Sequence, residues 1–114
     1  MAIQTVGEKN SLATKYGTDA PYAALYTTAP GATAGTEVTG GSPAYARKAL
    51  TWGAPSNGVI TATATFDVPA GTTVVGAGLH SAATAGTYLD GGAVASQQFA
   101  SQGTYALTLT FTQS

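Results

Sequence analysis

The sequence predicts an all-β protein: an antiparallel β-sandwich or flattened barrel, jelly-roll or immunoglobulin-like, preceded by a short N-terminal arm or helix. Three observations carry this reading. From Tyr22 onward apolar residues recur with a period of two, the spacing that puts them on one face of a strand. Segments rich in Gly and Pro punctuate that pattern at regular intervals. No strand–helix–strand alternation is present to build a parallel sheet.

The chain divides at about residue 20. In residues 1–20, Val6, Leu12, Ala13 and Tyr16 sit at loosely helical spacing, with Gly17 as a C-terminal stop. One short helix is one reading and an ordered arm is its competitor. Residues 21–114 form the sandwich domain.

Within that domain Tyr22–Thr28 reads as the first strand, ended by Ala29-Pro30-Gly31. Residues 31–43 read as a loop, because four Gly and one Pro in that span break any regular element. Tyr45–Trp52 reads as the next strand, closed by a turn containing Asn57-Gly58. The pattern is clearest at Val59–Phe66, where Ile60, Ala62, Ala64 and Phe66 share one face and Thr61, Thr63 and Thr65 the other. Pro69-Ala70-Gly71 turns the chain and Thr73–His80 returns it. Residues 81–87 are a small-residue loop. Tyr88-Leu89 starts a strand that Asp90-Gly91-Gly92 interrupts before Ala93-Val94. The last strand alternates Tyr105, Leu107, Leu109 and Phe111 with Ala106, Thr108, Thr110 and Thr112.

Composition bounds what such a domain can do. At 114 residues the chain has the size of one domain, and a chain of this length buries roughly two-thirds of its unfolded surface. Only 8% of the residues are charged, against about 25% in an ordinary soluble domain. Four basic residues against five acidic ones cannot neutralise a useful number of phosphates, so a nucleic-acid partner is not expected. A nearly uncharged surface does pack against its own copies with little repulsion. The absence of Cys excludes a disulfide framework and fits assembly in a reducing cytosol. The start Met1–Asn10 lacks the pattern of a signal peptide, and no apolar run is long enough to span a membrane.

The chemistry a reaction needs is scarce. His80 is the single histidine, no G-x-S-x-G occurs, and His80 reads as a partly exposed strand end. Asp67 and Asp90 stand where Asp serves turn geometry. Gly40-Gly41-Ser42-Pro43 lacks the Lys of a phosphate loop, and neither a His pair nor an acidic ladder marks a metal site. The chain is therefore expected to be no enzyme, with no catalytic, cofactor-binding or metal-binding residues and no cofactor.

Binding residues are easier to nominate. Trp52, Tyr105 and Phe111 read as core packing, because their neighbours alternate cleanly. Tyr16 and Tyr22, beside the N-terminal segment, are candidate partner contacts. So is Arg47 of the adjacent basic pair Arg47-Lys48, since Arg is enriched at interfaces. Exposed tyrosines such as Tyr22 and Tyr88 would suit a glycan-binding surface.

The stretch Thr39–Trp52 resembles the central motif of small virion structural proteins of tailed phages that infect actinobacteria. Phe66-Asp67-Val68-Pro69-Ala70-Gly71-Thr72, Gly78-Leu79-His80-Ser81-Ala82 and the upstream Leu25–Gly31 segment follow the same family order. The resemblance covers residues 22–112 and implies a virion protein, in a family variously labelled head decoration, minor tail or tail fibre. It carries no catalytic residues. The leading expectation is a capsid decoration protein, bound to the major capsid protein and to copies of itself as a trimer, with residues 1–20 as the docking or inter-subunit clamp. The alternative is a minor tail or tail-fibre protein acting in host adsorption through other tail proteins, with glycan binding as one route. Either way the expected location is the virion, assembled in the host cytoplasm.

Overall fold

The computed structural model describes residues 4–41 and 43–112. Met1–Ile3, Gln113-Ser114 and Ser42 of the glycine-rich loop lie outside the described residues.

The N-terminal segment is a helix, α1 (Val6–Asp19). Thr5 caps it, its hydroxyl accepting from the Glu8 N–H at 3.4 Å, and Glu8 sits in the first turn where the helix dipole favours an acid. Gly17 does not end the helix, as the sequence suggested. It lies inside, buried with Ala13, and a Cβ there would stand 3.0 Å from Trp52 Cγ and Cδ1. The glycine is needed for close approach of the indole, and the helix runs on to Asp19. Asn10, in the N-terminal half of the helix, ties it to the Asn57-Gly58 turn by accepting from the Gly58 N–H at 2.7 Å.

Among the described residues six strands follow: β1 (Tyr22–Tyr26), β2 (Lys48–Ala49), β3 (Val59–Val68), β4 (Thr72–His80), β5 (Tyr88–Phe99) and β6 (Gly103–Thr112). They form two antiparallel sheets, one ordered β2-β1-β4-β5 and the other a β3–β6 ribbon. The sandwich alternative is therefore the observed one. The chain crosses between layers at Pro69-Ala70-Gly71 and again at Ala100-Ser101-Gln102, and Gly71 N–H donates to Phe99 O at 2.7 Å where the crossings meet. Leu25, Val38, Phe66, Val68, Val74, Leu79 and Leu107 fill the space between the sheets. The molecule is elongated, 47 × 25 × 23 Å.

Asn57-Gly58 is the turn its dipeptide predicts. Both residues have positive φ, 51° and 79°, and Ser56 and Val59 exchange backbone hydrogen bonds across it.

Four readings need correction. The first strand stops at Tyr26, because Thr27 and Thr28 turn to bond Thr36. Tyr45–Trp52 yields only the two-residue β2, because the Tyr45 N–H turns back to Gly40 O at 2.8 Å and the chain pairs with β1 only at Lys48 and Ala49. Asp90-Gly91-Gly92 does not interrupt β5. Gly91 pairs with Gly78 and the Tyr88 ring closes over it, supplying the packing a glycine lacks. His80 ends β4 but is buried, at 4% exposure, against Tyr26.

Candidate functional site

The chain builds three features that bear on function: an aromatic strap across an open cleft, a polar clamp over the outer sheet face, and a threonine face with a single charge.

The strap starts from helix register. Ala13 and Gly17 face the body, which carries Tyr16 to the same side. Its ring stacks on Phe111 of β6, centroids 3.8 Å apart at 11°, and meets Trp52 edge-on at 6.0 Å. Its hydroxyl donates to Asp90 Oδ2 of β5 at 2.8 Å. Burial first, and then the Asp90 bond, push the Tyr16 phenol well above its ordinary range. Trp52 is fixed in turn by its Nε1–H donating to Ala20 O at 3.0 Å. Under this strap the sandwich is open between the edges of β5 and β6. The cleft there is about 250 Å³, mostly apolar, and lined by Leu79, Val94, Leu107, Leu109 and Phe111 besides Tyr16 and Trp52.

The clamp covers the outer face of the four-stranded sheet. Arg47 grips Glu37 through two parallel bonds, Nε to Oε2 and Nη2 to Oε1, each 3.0 Å. Its Nη1 donates to Ala82 O at 3.1 Å and to Ala85 O at 2.8 Å, so one guanidinium ties residues 31–43 to residues 81–87. Tyr45 donates to the same Glu37 Oε2 at 2.8 Å and accepts the Leu25 N–H at 2.9 Å. Burial alone would raise the Glu37 carboxyl, but the Arg47 and Tyr45 bonds outweigh it and hold the group below its ordinary 4.5.

Beneath the clamp, Tyr26 hydrogen-bonds His80 Nε2, and Tyr88 sits edge-on to both rings while donating to Gly31 O at 2.7 Å. Glycines in β4 and β5 make room for these rings. A Cβ on Gly78 would stand 2.7 Å from the Tyr26 ring, and one on Gly91 2.5 Å from the Tyr88 hydroxyl. Burial first, then the Arg47 charge, lower the His80 pKa from 6.5, which favours the neutral imidazole in this hydrogen bond with Tyr26.

The third feature comes from strand parity. In the β3–β6 ribbon, Thr61 pairs with Thr110, Thr63 with Thr108, Thr65 with Ala106 and Asp67 with Thr104. Their side chains all point away from the core, and all but Asp67 are exposed. Asp67 carries the one charge on that face.

Of the candidate contact residues, Tyr16 holds the strap and is half-buried. Arg47 uses all three of its nitrogens within its own chain. Tyr22 is half-buried on β1, paired with Ala49 on one side and His80 on the other. The structure does not bring these three together. Glu37 and Asp90, the partners that fix Arg47 and Tyr16, went unremarked as partners in the sequence. With nine ionisable Asp, Glu, Lys and Arg residues in all, an inventory of opposite charges was the one signal available for the Glu37–Arg47 pair.

These features define a class: a small helix-strapped β-sandwich that offers its surroundings a threonine-rich face of low charge and an open sheet edge. The model of the family described as podophage GP4 fiber I protein gp80 matches residues 11–111, and the chain belongs to that family. It is a structural protein of the phage virion. No curated protein matches the chain, and no solved structure does. The family's description favours the fibre alternative over the capsid decoration expected first.

Proposed function

We propose that the protein is a module of the phage tail fibre, contributing a rigid, non-catalytic sandwich to a virion appendage that meets the host. The family match across residues 11–111 carries this reading, because it takes in most of α1, the whole of β1 to β5 and all of β6 but Thr112. The surface suits the role. A threonine face with Asp67 as its one charge adds little repulsion when copies or other tail proteins lie alongside it. The helix is packed into the body through Gly17, Asn10 and Tyr16, so α1 acts as a strap on the sandwich.

Immunogold labelling of purified virions tests the proposal. Label confined to the tail and present at a few to tens of copies supports it. Even label over the head at hundreds of copies would instead support capsid decoration, the reading that the threonine face also fits. Host adsorption through a surface glycan is the narrower form of the fibre reading. It predicts glycan-array binding that is lost with Tyr22→Ala.

A further inference from the structure

Backbone bonds outside the ribbon reveal which way each β3 residue points. Val59 exchanges hydrogen bonds with Ser56, and Thr61 O accepts from Gly53 N–H at 3.0 Å. Both residues therefore direct their backbone groups away from β6. In an antiparallel ladder two opposed residues point the same way relative to the shared seam, and the β3–β6 register is unbroken over ten pairs. It follows that Thr104, Ala106, Thr108, Thr110 and Thr112 turn their N–H and C=O groups to the outer edge of β6. Among the described residues that edge has no backbone partner.

Free edges are normally blunted by charge, proline, bulges or a covering loop. The β3 edge is covered in part by Gly53 and Ser56. The β5 edge carries Asp90 and lies on a ladder with register breaks at Val74/Gly76 and Leu79/His80. Gly103–Thr112 has no charge, no proline and no bulge over its ten residues, and of the helix strap only the Tyr16 ring reaches it, stacked on Phe111.

We propose that β6 pairs antiparallel with β6 of a second copy across a two-fold axis, joining two ribbons into one four-stranded sheet. Three observations select a second copy as the occupant. The strand has no charge, so it offers a charged partner nothing and its own copy no repulsion. A two-fold register, such as Thr108 against Thr108, brings outward-pointing residues opposite outward-pointing residues and satisfies both edges together. Leu109 and Phe111, half-buried at the rim of the cleft, gain cover from the same row of the second copy. The contact is two-fold where the sequence had suggested a trimer, and it does not depend on whether the protein sits in a fibre or on a head.

Light scattering and amide hydrogen exchange on the full chain test this. Thr108→Pro removes one outward N–H and leaves the β3 ladder untouched. Thr108→Lys sets like charges against each other at the axis and, on an exposed side chain, spares the fold. The wild type is expected at twice the 11.2 kDa chain mass, with slow exchange at Ala106, Thr108 and Thr110. Each variant should weaken self-association by about tenfold or more and free those amides, with circular dichroism unchanged. A wild type that stays monomeric up to ~1 mM, a trimer, or a dimer that withstands Thr108→Lys would each overturn the proposal.

Discussion

The Tyr16 ring lies flat on that of Phe111, centroids 3.8 Å apart, while its hydroxyl reaches Asp90 at 2.8 Å. One side chain thus spans from the helix to both sheets. It bridges the side of the sandwich where β5 and β6 do not pair. Tyr16→Phe keeps the stacking and drops the hydrogen bond, which is expected to cost about 1 kcal/mol. Tyr16→Ala loses the ring as well, and about 2–3 kcal/mol is expected for a half-buried aromatic. Urea denaturation of the two variants checks the order. Equal losses would mean that the stack contributes nothing.

Gly17 and Gly7 share one helix and predict opposite signs for the same substitution. Alanine favours a helix over glycine by about 1 kcal/mol where nothing obstructs it. A Cβ at Gly7 meets no atom within 4 Å, so Gly7→Ala should raise the melting temperature. At Gly17 the new methyl presses on Trp52 at 3.0 Å, and the indole is held by its bond to Ala20. Overpacking of this kind costs about 1–3 kcal/mol, so Gly17→Ala should lower stability on balance. Thermal melts of both variants decide the comparison.

Acid should weaken the protein in two stages. The folded His80 pKa lies below 6.5, so the unfolded chain binds its proton first. Stability from this group is complete above pH 6.5 and falls as pH drops through the folded value. Glu37, held below 4.5 by Arg47 and Tyr45, adds a second loss under pH 4.5. At the alkaline end burial, with Glu37 nearby, raises the Tyr26 phenol to about 12, so its contribution is present below pH 10 and fades above it. Denaturant midpoints measured against pH should show a plateau between these limits. His80→Gln should flatten the limb just below pH 6.5 and leave the one below 4.5 in place.

The sequence made the strands with strict alternation legible, because period two on a half-buried ribbon leaves its mark in every other residue. Val59–Val68 and Gly103–Thr112 are such strands, with threonine outside and aliphatic or aromatic residues inside. The Asn57-Gly58 turn was legible for a local reason, its need for positive φ. What was hidden depends on contacts between distant residues. Gly17 reads as a helix stop until Trp52 is seen against it, 35 positions later. Arg47 reads as a partner contact until Glu37 and the carbonyls of Ala82 and Ala85 close around it. The threonine face was visible as a pattern, but its edge was not. Which backbone groups remain unpaired depends on the order of strands in space, and a linear pattern does not encode that.

Gly91 and Gly92 are adjacent in β5, and one is far less replaceable than the other. Neither has positive φ, so the backbone accepts alanine at both and only space decides. A methyl at Gly91 would stand 2.5 Å from the Tyr88 hydroxyl and 2.9 Å from Ala77 O, and the second obstacle is backbone that cannot swing aside. To admit it, Tyr88 must leave Gly31 O, and the edge contacts of its ring with Tyr26 and His80 must go too. Gly91→Ala should therefore lower stability by about 1–3 kcal/mol and loosen residues 27–37 in hydrogen exchange. At Gly92 no atom lies within 4 Å, and alanine restricts the unfolded chain, so Gly92→Ala should be neutral or stabilising by up to about 1 kcal/mol. Equal effects at the two sites would show that the Tyr88 ring does not rest on β5 as described.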